Sequence, residues 1–146
     1  MLDVETLHHV SLPASDLDRS TRFYEGVLGL EPMERPPFDF KGKWYKVGDR
    51  SLHLIVPKDA ESATFRGGKP IDSRDAHFAI RVRSYSAAVA HLESKGYRGS
   101  AEQNPGPTAG NPRPMRLSPA GAAGFPQIYL LDPDGHVIEI NAATLD

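Results

Sequence analysis

Residues 7–12 read LHHVSL, and a period of two sorts them into His9 and Ser11 on one side, with His8, Val10 and Leu12 on the other. A strand patterned this way buries its aliphatic side and turns His9 toward open space. The design returns at residues 76–82, AHFAIRV, where Phe78, Ile80 and Val82 form the buried side and His77, Ala79 and Arg81 point the opposite way. Within residues 51–57, Leu52, Leu54 and Val56 stand against His53 and Ile55; near the chain end, Ile138 and Ile140 stand against Val137, Glu139 and Asn141. Four short strands thus each carry a side chain able to ligate a metal. Three imidazoles and one carboxylate aimed into one cleft suit a borderline divalent ion.

Working outward from these strands, the same order of parts appears twice, and an internal repeat outweighs any single motif. Each half is expected to hold one strand, one helix and three further strands. After the His9 strand, Ser15, Asp16, Leu17 and Asp18 form a Ser-x-x-Asp helix start, Phe23, Tyr24, Val27 and Leu28 follow at helical spacing, and Gly29 ends the helix. After the His77 strand, Ser84 precedes Tyr85, Ala88, Val89 and Leu92, and Gly96 closes the second helix. Turns at residues 48–51 and 132–135 then lead to the His53 and Glu139 strands. This predicts one α+β domain over residues 1–146, with a module at about 5–57, a linker at 58–75 and a second module at about 76–142.

The second module carries an insertion at residues 99–126, which holds six of the thirteen prolines and five of the thirteen glycines. Structureless connections longer than about 12–15 residues are uncommon in compact domains. The run is therefore either a lid over a site or a cover for an exposed strand edge, with Arg113 to Leu117 as a further strand. With 146 residues the chain is long enough for a real core. Cysteine is absent, which excludes disulfides, thiolate catalysis and sulfur-ligated zinc. A net charge of −2 gives no basic footprint for nucleic acid. No apolar run approaches a membrane span, so a cytoplasmic protein is expected.

The segments LHHVSL (7–12), DLDRSTRFYEGVLGL (16–30), AHFAIRV (76–82) and YLLDPDGHVIEIN (129–141) resemble the vicinal-oxygen-chelate superfamily. That group includes glyoxalase I, methylmalonyl-CoA epimerase, extradiol dioxygenases, and fosfomycin- and bleomycin-resistance proteins. The stretch RPPFDFKGKWY (35–45) followed by LHLIV (52–56) is most similar to glyoxalase-I-like members. The resemblance implies two βαβββ modules forming a cupped mixed sheet around a divalent metal, with the helices outside, in a homodimer. The metal is nickel, zinc, cobalt, manganese or iron, and the motifs place it on His9, His53, His77 and Glu139. Glyoxalase I commonly has a carboxylate at the position of His53, so this set carries a single negative charge and leaves the ion a stronger Lewis acid.

The reaction implied is that of a glyoxalase-like lyase or isomerase. Adjacent oxygens of a small substrate meet the ion, and a proton moves through a metal-stabilised enediolate, with Glu139 or His53 as base and Tyr129 as a further catalytic group. Ser11, Trp44, Arg81, Arg113 and Arg116 are the expected substrate-binding residues. His53 has a second reading, as a neighbour of a three-donor centre of His9, His77 and Glu139. That set recurs in ferrous oxygenases and makes an extradiol-type dioxygenase the alternative. A metal-dependent resistance or ligand-binding protein is a further one. Tyr129 shares a face with Glu139 only if the intervening turn restores register, and His8 is expected to be a core or subunit-contact imidazole.

Overall fold

The computed structural model describes residues 1–58, 69–100, 102–120 and 122–146. The chain divides into two compact units, Met1–Thr64 and Phe65–Asp146. Most of the expected linker, residues 59–68, lies outside the described residues.

In the first unit, β1 (His9–Pro13), α1 (Leu17–Tyr24), β2 (Glu31–Met33), β3 (Gly42–Val47) and β4 (Arg50–Ile55) follow one another as anticipated. The sheet order is β1-β4-β3-β2, with β1 parallel to β4 and the other pairs antiparallel. Asp16, one residue past Ser15, is the helix cap, accepting a hydrogen bond from the Arg19 amide at 2.9 Å. The helical hydrogen bonds run on to Val27, and Gly29, at φ 69°, turns the chain out of the helix. Leu52, Leu54, Tyr45 and Tyr24 are fully buried, and Tyr24 and Tyr45 stack at 5.8 Å. Burying one such aliphatic or aromatic side chain contributes roughly 1.5–3 kcal/mol, so an alanine at Leu54 would cost about 2–5 kcal/mol.

The second unit runs β5 (His77–Val82), α2 (Tyr85–Ser94), β6 (Arg98–Ser100), β7 (Pro114–Ser118), β8 (Gln127–Leu131) and β9 (Val137–Ala142). Its sheet order is β5-β9-β8-β7-β6. Four of these strands repeat the first unit's plan, and β6 is an addition, pairing parallel to β7 at the edge. The insertion thus extends the sheet where β7 would otherwise end it, in keeping with the edge-cover reading. The β7 strand falls within one residue of the anticipated segment.

Ser84 caps α2 through the Ala87 amide at 3.0 Å, and Asp146 reaches back to Ser84 at 2.6 Å and to the Ser86 amide at 2.9 Å. At the other end, Gly96 at φ 88° reverses the chain, and the Tyr97 and Gly96 amides bond to the Leu92 and Glu93 carbonyls. The end of the expected linker is not loose. Ile71 is fully buried against Tyr129 and Val137, and its amide bonds to the Pro105 carbonyl at 2.8 Å.

Candidate metal centre

Register decides which side chains meet, because cross-strand partners share a face of the sheet. In the second unit Ala79 pairs with Glu139 on the parallel side, and Tyr129 pairs with Glu139 on the antiparallel side. His77, two residues before Ala79, therefore falls on the same face as Glu139, Asn141, Tyr129 and Arg116. The Asp132 turn makes this possible. The Asp132 carboxylate accepts from the Asp134 and His136 amides at 2.9 and 2.8 Å, and Gly135 at φ 83° closes the loop with Leu131 opposite Val137. Tyr129 thereby lands directly opposite Glu139, and its ring meets that of His77 edge-on at 5.9 Å.

His77 is oriented by the carbonyl of Asp75, 2.6 Å from its Nδ1. With the proton on Nδ1, the Nε2 lone pair faces Glu139 Oε2 at 3.3 Å. Glu139 is 5% exposed. Burial pushes its carboxyl up, but hydrogen bonds from Asn141, Gln127 and Tyr129, helped by His77, outweigh it, and the net displacement is downward from 4.5. Two acceptors face each other here, an arrangement that is favourable only with a cation, proton or metal ion, between them.

The spacing fits a metal. Bonds of about 2.0–2.2 Å to one tetrahedral ion set neighbouring donors about 3.3 Å apart. A ring Nδ1 anchored on a carbonyl is also the usual support for a ligating histidine.

Further partners fix the carboxylate. Asn141 Nδ2 donates to Glu139 Oε1 at 2.7 Å, and Arg81 Nε donates to Asn141 Oδ1 at 2.9 Å. Burial, together with the Glu139 charge, pushes the Tyr129 hydroxyl up to about 12, so it stays protonated and serves as a donor. Arg116 lies over the Tyr129 ring at 5.8 Å and donates to Ser73 at 3.0 Å. Asn141 and Gln127 were not singled out from the sequence, although both share the parity of Glu139 and Tyr129. Ser73 and Ile71 carried no signal, because the segment before β5 reads as polar linker.

The other two expected substrate-binding arginines have these partners. Arg113 donates to the Lys95 carbonyl at 2.8 Å, at the end of α2, and Arg81, besides orienting Asn141, lies over the Phe125 ring at 4.9 Å.

In the first unit, Ser11 pairs with His53 on the parallel side and Trp44 pairs with His53 on the antiparallel side. His9, Ser11, His53 and Trp44 therefore occupy one face. His9 and His53 stack at 4.3 Å with planes 13° apart, and His53 and Trp44 stack at 3.9 Å with planes 6° apart. His53 Nε2 lies 2.9 Å from Ser51 Oγ, and burial, with His9, His8 and Arg35 nearby, lowers its pKa. Beyond Trp44 come Phe38 and Phe40, stacked at 5.1 Å, with the Arg35 guanidinium over both.

His9 is exposed, and its Nδ1 lies 2.9 Å from His8 Nδ1. His8 is exposed in this chain, so the core reading of it is corrected, because it precedes the first strand residue and the period of two does not reach it. The His53 ring lies nearly parallel to that of His9.

Among the described residues, no group of three or more histidine, aspartate or glutamate side chains is gathered as a metal site. What each unit shows is a pair, His77 with Glu139 and His9 with His53.

Comparison with known proteins agrees with the fold. The model of the Glyoxalase/Bleomycin resistance protein/Dioxygenase superfamily matches residues 6–140. The chain is 27% identical over 143 residues to Glyoxylase I 4 of Arabidopsis thaliana, covering 95% of this chain and 71% of that one. It is 26% identical over 144 residues to the mitochondrial methylmalonyl-CoA epimerase of Homo sapiens, covering 94% and 73%. A solved glyoxalase-family structure from Bacillus anthracis superposes with a TM-score of 0.70 at 20% identity, covering 97% of this chain and 98% of that chain. With two strand-helix-strand repeats, a histidine on the first strand of each and a glutamate on the last strand of the second, the chain belongs to the Glyoxalase/Bleomycin resistance protein/Dioxygenase superfamily.

Proposed function

We propose that the protein is a metal-dependent lyase or isomerase of glyoxalase type, acting on a small substrate with adjacent oxygens. The observation that carries this reading is the His77–Glu139 pair, with its 3.3 Å bite and anchored Nδ1. His77 and Glu139 would supply two of the donors of a divalent ion, and His9 is proposed as a further metal donor. Such an ion supplies Lewis acidity toward the substrate oxygens. One carboxylate among neutral imidazoles leaves it a net positive charge.

The chain's own groups divide the remaining work. Glu139 has Oε1 committed to Asn141 and Oε2 to the donor pair, so it acts as a held ligand and not as a moving base. Tyr129 keeps its proton and donates a hydrogen bond to Glu139, while Arg116 beside it offers positive charge to an anionic substrate. Proton removal falls to His53, the imidazole left over from the donor set, with Ser51 within hydrogen-bond distance.

A second reading, a ring-cleaving dioxygenase on ferrous iron, draws on the same three donors, since two histidines and one carboxylate leave positions open for substrate and oxygen. The experiment that tests both is to load the purified protein with nickel, cobalt, zinc, manganese or ferrous iron. Solvent deuterium incorporation into hemithioacetals and 2-oxo acids, and oxygen uptake with catechols, are then measured. Deuterium incorporation without oxygen uptake supports the first reading, and the reverse result replaces it with the second. A protein that binds none of these ions and is inert in both assays overturns both. No helix among the described residues is long and apolar enough to cross a membrane.

A further inference from the structure

We infer that His53 serves the first unit as a stacking wall that fixes the plane of the His9 ring, and that it gives no lone pair to the ion. The inference rests on the proposed role of His9 as a metal donor and concerns the one position where that reading and the ring geometry part company.

An imidazole nitrogen directs its lone pair within the ring plane, and a bound ion lies in that plane at about 2.0–2.1 Å. The planes of His9 and His53 differ by 13°, and the rings lie face to face with centroids 4.3 Å apart. Two planes so arranged run side by side and do not meet within bonding reach. An ion in the plane of His9 therefore lies off the plane of His53, toward a face that has no lone pair to offer.

Turning His53 into a ligand would disturb everything that holds it. The ring would leave Trp44, which covers its other face at 3.9 Å and 6°, and Nε2 would give up the contact with Ser51 Oγ at 2.9 Å. It would also leave a slot in which the residue is only 7% exposed. His9, by contrast, is exposed, and its second ring nitrogen is steadied by His8 at 2.9 Å. A ring that lies loose on a surface points its lone pair in many directions. Pressed against a flat, immobile neighbour, it keeps one plane, and the ordering is done before any ion arrives.

The test uses zinc alone as probe, with ¹⁵N spectra of the imidazole nitrogens and zinc affinities by competition with a chelator dye. On loading the wild-type protein, one nitrogen each of His9 and His77 moves to a zinc-bound position, while both His53 nitrogens stay where they were. His53→Phe keeps the flat wall without a nitrogen and holds zinc within about threefold of wild type, whereas His53→Ala weakens it about 10–100-fold, the usual loss when a ligand's outer support is removed.

A His53 nitrogen at a zinc-bound position, or a phenylalanine variant as weak as the alanine one, overturns the inference. So does zinc affinity indifferent to both substitutions. If the wild-type protein takes up no zinc, the metal reading itself falls, and the wall is judged in the metal-free protein. His53→Ala must then displace the His9 ring resonances and His53→Phe must not; a His9 insensitive to both overturns the wall.

Discussion

His53 and Glu139 hold the same register position in two sheets of one plan. Each pairs with the residue two past a histidine, Ser11 after His9 and Ala79 after His77, and each faces an aromatic residue on its antiparallel side, Trp44 or Tyr129. The outcomes differ because the neighbours differ. Two residues after Glu139 stands Asn141, paired with Gln127, and both donate hydrogen bonds to the carboxylate. Two residues after His53 stands Ile55, paired with Gly42, and neither side chain has anything to donate. Hydrogen bonds fix the direction of a lone pair, whereas stacking fixes only a plane. The second unit is thus built to aim donors, and the first to flatten and hold a ring.

The substitution that breaks this contrast most strongly is Glu139→Gln. It removes the only carboxylate of the proposed donor set, so zinc affinity should fall by more than the roughly 10–100-fold expected for loss of an outer support. A second effect appears on acidification. The folded pKa of Glu139 lies below 4.5, since its hydrogen bonds outweigh the burial that opposes them. The ionised group therefore contributes stability that is fully present above pH 4.5 and is lost as pH falls through the lowered folded value. In urea unfolding between pH 6 and pH 3, the gap between wild type and Glu139→Gln should close toward the acid end. A gap that widens, or zinc binding equal to wild type, would remove Glu139 from its place in the pair.

How much of this was legible beforehand follows from which interactions are periodic. His9, His77 and Glu139 stood out because each breaks a strict alternation on its own strand, and alternation survives into the folded sheet. Tyr129 was conditional on a turn, and the Asp132 carboxylate, by capping two amides of that turn, supplied the missing register. Ring orientation left no trace in the sequence. A histidine flanked by leucines reads the same whether its ring ligates or stacks, and the plane of His53 is set by Trp44 from a neighbouring strand. Ile71 and Ser73 were missed for a related reason, since an isolated apolar residue in a polar stretch has no period to give it away.

The hydrogen-bonded side is sharpened by Asn141→Leu, which keeps the side chain's bulk and deletes the donor to Glu139 Oε1. Arg81 Nε then loses its acceptor as well, so the substitution interrupts the chain from Arg81 to Glu139 at its middle. Zinc affinity should fall by about 10–100-fold, with substrate affinity of the fully loaded protein unchanged. Unchanged zinc affinity would mean that Gln127 and Tyr129 alone suffice to aim the carboxylate. The interaction at 2.7 Å would then be a consequence of the arrangement and not its cause.

The smallest effect belongs to the stacked side. Trp44→Leu replaces the flat cover of His53 by a branched aliphatic side chain of smaller area, and a stacked aromatic pair contributes about 0.5–1.5 kcal/mol beyond the area it buries. Thermal unfolding should therefore shift down by only a few degrees, because the core behind the sheet, Leu52, Leu54, Tyr45 and Tyr24, lies on the other face and is untouched. The informative readout is the ring beside it. With one face uncovered, His53 should sample other orientations, and its ¹⁵N resonances should broaden while those of His77 in the second unit stay sharp. Sharp, unmoved His53 resonances would mean that the Ser51 hydroxyl, and not the indole, holds the imidazole, and the first unit would then aim its ring by a hydrogen bond as the second does.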